Sequence, residues 1–70
     1  MVYKMPDIKI RFYHEPEFGL MLDLSEAVSR CLRAEEISLE DVSEIFVFQT
    51  PSGVWKMKIK GMIYNLTPYL

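Results

Sequence analysis

The 70-residue sequence predicts an α+β fold. One helix packs on one face of an antiparallel sheet, in the order β-β-α-β-β-β, as a single two-layer domain over residues 1–70. Three observations lead there. Two segments alternate apolar and charged residues with period two, one segment repeats apolar residues at helical spacing, and turn chemistry separates the later segments.

Strands are expected near 7–14, 18–22, 44–50, 54–60 and 62–66, with a helix over 24–36. In the first, Ile8, Ile10 and Phe12 alternate with Lys9, Arg11 and Tyr13. Pro6 ahead of it suits a strand start, because a proline inside would remove a ladder donor. Glu15-Pro16-Glu17 breaks the pattern, and Phe18 to Leu22 reads as a strand that hairpins back. Asp23 reads as the helix N-cap, with Glu26 at capping-box spacing. Leu24, Ala27, Val28, Cys31 and Leu32 then form one stripe, and the helix ends near Glu35 or Glu36. Ser38 to Asp41 suggests one further helical turn.

Glu44 to Thr50 is rich in Ile, Phe and Val, as strands are. Thr50-Pro51-Ser52-Gly53 is a turn, since Pro51 pre-sets φ and Gly53 accepts a positive one. After it, Trp55, Met57 and Ile59 alternate with Lys56, Lys58 and Lys60. Lys60-Gly61 reads as a tight turn into Met62–Leu66, and Pro68 stops the last strand.

The small size bounds the core. A chain of this length buries only about 60% of its unfolded surface, and such domains often need a staple. One cysteine cannot form an internal disulfide, and one histidine with one cysteine cannot build an ordinary zinc site, so no metal and no cofactor are expected. No apolar run reaches the roughly 18 residues needed to span a membrane, and none of signal-peptide length opens the chain. A free thiol without a disulfide framework fits a reducing compartment, so the expected location is cytoplasmic.

Charge is unevenly laid out. Residues 15–44 hold nine acids against Arg30 and Arg33, while residues 45–70 hold Lys56, Lys58 and Lys60 with no acid. The helix and its flanks are therefore acidic and the sheet basic, within a net charge of −2. Half the residues are hydrophobic, and Ile45-Phe46-Val47-Phe48 is apolar at every position. A single helix covers one face of that strand, so the other needs the C-terminal tail, a second copy or a partner.

The leading expectation is a non-enzymatic protein-interaction module, a homodimer or a regulator or inhibitor of another protein. Phe46, Phe48, Met62 and Tyr64 are its candidate contact residues. The alternative is nucleic-acid binding through a basic sheet face made by Lys9, Arg11, Lys56, Lys58 and Lys60, with a tyrosine nearby. The ordinary reading of such a lysine row is that it keeps an open sheet solvated. Trp55, in phase with Met57 and Ile59, reads as a core anchor under the helix. His14 reads as a solvated turn residue, and Cys31, on the helix stripe, as a small inert core residue. No glycine-rich phosphate loop, nucleophile elbow or paired-carboxylate arrangement is present.

Overall fold

The computed structural model describes residues 2–5 and 8–70, the first four through their backbone. It contains strands β1 (Val2–Met5), β2 (Ile8–Phe12), β3 (Glu44–Gln49), β4 (Trp55–Ile59) and β5 (Met62–Asn65), one helix α1 (Phe18–Ala34), and a 3-10 turn at Thr67–Tyr69. The five strands form one sheet in chain order, β1-β2-β3-β4-β5. The expected strand start at Asp7, with Pro6 ahead of it, lies outside the described residues, and β2 ends at Phe12, two residues short of the expected His14.

The α+β class holds, with three corrections. The sheet is mixed, because β2 and β3 pair in parallel, Ile10 opposite Ile45 and Phe12 opposite Val47. The reason is the crossover. A 17-residue helix spans about 25 Å, enough to carry the chain back along the sheet so that the strand after it runs with the strand before it. The hairpin partner of β2 is β1, antiparallel to it, and not residues 18–22.

Residues 18–22 are the start of α1. Met21 is in phase with Leu24, Ser25 and Val28, so the apolar stripe reaches one turn further back than Asp23 suggests. The N-cap is Glu17, with no side-chain bond to the helix. Asp23 and Glu26 sit on the exposed side of a helix already under way. Buried Ser25 is satisfied by donating to the Met21 carbonyl at 2.8 Å.

The helix ends near its expected limit through a Schellman arrangement. Ile37 N–H donates to the Leu32 carbonyl at 3.0 Å, and Glu36 N–H to that of Arg33 at 3.2 Å. Glu36 takes φ 51°, a position where glycine is usual. Ser38 to Asp41 makes a simple turn and not a helical one. The hairpin at Thr50–Gly53 forms as expected: Gly53 N–H donates to the Thr50 carbonyl at 2.8 Å, and Gly53 has φ 90°. Lys60 and Gly61, both at positive φ, make the tight turn into β5.

The core lies between α1 and one sheet face. Ile8, Ile10 and Phe12, Ile45 and Val47, and Trp55, Met57 and Ile59 point into it from three adjacent strands. Met21, Leu24, Ala27, Val28, Cys31 and Leu32 meet them from the helix. Trp55 is thus a core anchor, and Met21 and Met57 are core fillers. Leu66 is also fully buried, and the 3-10 turn after it is tied to α1. Arg30 donates to the Tyr69 carbonyl at 3.1 Å, and the Tyr69 hydroxyl donates to Glu35 at 3.2 Å. The tail therefore packs on the helix layer and leaves the outer face of the sheet open.

Candidate nucleic-acid interface

The outer face follows from the pleat. Each core residue of β2, β3 and β4 turns its sequence neighbours to the opposite side. Lys9 and Arg11 of β2, Phe46 and Phe48 of β3, and Lys56 and Lys58 of β4 all lie there. The pairing places them as neighbours: Arg11 opposite Phe46, Phe46 opposite Lys58, and Phe48 opposite Lys56. Tyr13, one residue beyond β2, continues the row, and its N–H donates to the Val47 carbonyl at 3.0 Å.

The rings of Tyr13, Phe46 and Phe48 form one cluster. Tyr13 stacks on Phe46 with centroids 5.5 Å apart and planes 17° apart. It meets Phe48 edge-on at 6.5 Å. Both phenylalanines are half-buried, while Tyr13 is 66% exposed. Stacked and edge-on pairs at these distances add about 0.5–1.5 kcal/mol beyond the area they bury.

A basic row flanks the cluster on each side, Lys9 and Arg11 on one and Lys56 and Lys58 on the other. Arg11 Nε pairs with a Glu44 carboxylate oxygen, Glu44 being opposite Lys9 at the start of β3. Among the described residues Glu44 is the one acid on this face. The exposed acids Glu15, Glu17, Asp23, Glu26, Glu35, Glu36, Glu40 and Asp41 belong to α1 and its flanking segments. Lys60 is exposed but sits in the β4–β5 turn, outside the pleat, so it stands apart from the other four cations.

The four residues expected to form one apolar contact surface divide between two. Phe46 and Phe48 are on the outer face. Tyr64 and Met62 are opposite Met57 and Ile59, on the helix side of the edge strand β5. Tyr64 is half-buried against the core, and Met62 is 59% exposed. The division arises because Phe46 is out of phase with the core positions Ile45 and Val47, whereas Tyr64 is in phase with Met57. Apolar residues at every position of β3 hide that phase in the sequence.

A second feature lies at the other side of the molecule. Cys31, Glu35, Ile63, Tyr64, Asn65, Pro68 and Tyr69 line an open cleft of about 290 Å³ along β5. Burial pushes the Cys31 thiol above its usual range, and the Glu35 carboxylate adds to the shift. The Tyr69 phenol is also raised, first by desolvation and then by Glu35. Neither change favours a nucleophile, since the thiolate is the reactive form. His14 is exposed. Among the described residues no three His, Cys, Asp or Glu side chains converge as a metal site. No helix among them is long and apolar enough to cross a membrane.

Compared with known protein families, with curated proteins and with solved structures, the chain shows no match. The functional reading therefore rests on the chemistry of the outer face.

Proposed function

We infer that the chain is a small non-enzymatic binding domain whose outer sheet face takes single-stranded nucleic acid. The observation that carries this reading is the Tyr13–Phe46–Phe48 cluster set between two basic rows. Unpaired bases stack on exposed aromatic rings, and a flanking line of cations follows the phosphates. Tyr13 offers the accessible ring, Phe46 and Phe48 support it, and Lys9, Arg11, Lys56 and Lys58 supply charge. Because every base has a stacking face and the cluster is made of the Tyr13, Phe46 and Phe48 rings, the reading predicts weak sequence preference.

Two further points favour a single strand over the alternatives. A duplex major groove admits a helix or a two-stranded ribbon. The exposed side of α1 offers Asp23 and Glu26 as well as Arg30 and Arg33, so it has no basic row to present. Self-association across the outer face would set four cations of one copy against four of another, and like charges opposed on a sheet are destabilising.

The test is fluorescence anisotropy with labelled mixed-sequence DNA and RNA, single-stranded and duplex, over a range of salt. Single strands should bind more tightly than duplex. The logarithm of the affinity should fall with the logarithm of salt with a slope of about −2 to −3, for three or four neutralised phosphates. Absence of binding at low salt, or a preference for duplex, would overturn the reading.

A further inference from the structure

We propose that β5 is a self-pairing edge, and that two copies of this chain join there about a two-fold axis at Tyr64. Leu66 N–H donates to the Trp55 carbonyl at 2.9 Å, so Trp55 and Leu66 are a hydrogen-bonded pair. Antiparallel pairs alternate between bonded and non-bonded. Met57–Tyr64 and Ile59–Met62 are then bonded, while Lys58–Ile63 and Lys56–Asn65 are not. The N–H and C=O groups of Ile63 and Asn65 therefore point away from β4. Because β5 is the last strand of the sheet, they point to an open edge.

That edge is short, at four residues, but carries neither of the chemical devices by which proteins discourage pairing, a charged side chain or a proline. Met62-Ile63-Tyr64-Asn65 contains no charge and no proline, and Met62 and Ile63 are 59% and 55% exposed. The occupant that fits is a second copy. With Tyr64 opposite Tyr64 of the second copy, Ile63 of each chain is opposite Asn65 of the other. Both outward residues of both copies are then used, in four backbone hydrogen bonds. A two-fold centred on Ile63 would instead set Asn65 against Gly61, which is committed to the tight turn.

The side chains agree with this register. Met62 would stand opposite Leu66 of the other copy, on the helix side of the sheet. The cleft walled by Tyr64, Pro68 and Tyr69 opens on that side of the same strand, so the exposed thioether enters the space that each copy leaves there. Ile63 and Asn65 of both copies stay on the outer side, which makes the two outer faces continuous.

The experiment is light scattering of the full chain without nucleic acid, so its outcome is separate from that of the binding reading. The expected mass is about 16 kDa, twice the 8.2 kDa of one chain. Ile63→Lys, at an exposed position, should return the mass to that of one chain with an unchanged circular dichroism spectrum. Tyr64→Cys should oxidise to a covalent dimer, because directly opposed non-bonded pairs bring their Cβ atoms close enough for a disulfide. Ser52→Cys, in the β3–β4 turn, should not. A single-chain mass for the native protein up to millimolar concentration overturns the proposal, as does a dimer that Ile63→Lys leaves intact.

Discussion

The Tyr13 ring lies almost parallel to that of Phe46, 17° apart in plane and 5.5 Å between centroids, although Tyr13 follows the end of β2 and Phe46 lies within β3. The contact exists because β2 and β3 run parallel with Arg11 opposite Phe46 and Phe12 opposite Val47, a register that carries Tyr13 beside Phe48, from where its ring reaches back over Phe46. It joins the basic rows of β2 and β4 through a shared aromatic surface.

If bases stack on that surface, Tyr13→Ala should weaken single-strand binding by about 1–3 kcal/mol, roughly the contribution of one base. The slope against salt should not change, since no charge is lost. Tyr13→Phe should retain most of the affinity. Anisotropy titrations of the three proteins at several salt concentrations separate stacking from charge.

Glu44 holds Arg11, and a phosphate that uses Arg11 must displace it. Glu44→Gln should therefore raise affinity for single strands. Lys58→Gln should lower affinity and make the salt slope shallower by about 0.7. Opposite signs from two neutral substitutions on one face are difficult to attribute to general loss of structure.

The helix terminus offers a stabilising change. Glu36 occupies the left-handed region at φ 51°, where a side chain costs about 1–2 kcal/mol. It also places a negative charge at the C-terminal end of the helix dipole. Glu36→Gly should stabilise the fold by about 1 kcal/mol after its own entropy cost, which corresponds to about 4–8 °C in a domain of this size. Thermal unfolding followed by circular dichroism measures it.

The core tolerates little loss. Leu24 is fully buried between α1 and the sheet. Leu24→Ala should cost about 2–5 kcal/mol. At about 0.05–0.15 kcal/mol per residue, the whole domain has a similar reserve, so urea unfolding should show a sharply lowered midpoint.

Raised pKa values at Cys31 and Tyr69, both pushed up first by desolvation and then by Glu35, set the sign of the alkaline response. The folded chain keeps protons there that the unfolded chain releases, so stability is fully present below the ordinary thiol value and falls as pH rises past it. Urea midpoints should decline from about pH 8.5 upward. Cys31→Ala should make that decline shallower.

Much of this architecture was legible where local chemistry and tertiary context agree. Trp55 to Lys60 alternates cleanly because one side is core and the other solvent, and Pro51 with Gly53 fixes the turn before it. The helix start was obscured because Glu17 caps without a side-chain bond, while Asp23 and Glu26 imitate a capping box inside the helix. The parallel pair follows from where the crossover returns the chain, which no single segment encodes. The site was half legible. Lys9, Arg11, Lys56 and Lys58 follow from period two, but Phe46 and Phe48 join them only through their pairing with Lys58 and Lys56.

The most direct test of the outer-face reading is a residue-by-residue NMR titration with a single-stranded oligonucleotide. Amide and side-chain shifts should concentrate on Lys9, Arg11, Tyr13, Phe46, Phe48, Lys56 and Lys58 if the outer face holds the strand, with the exposed side of α1 unchanged. Shifts confined to α1 and the Thr67–Tyr69 turn, with the Tyr13 ring undisturbed, would contradict it.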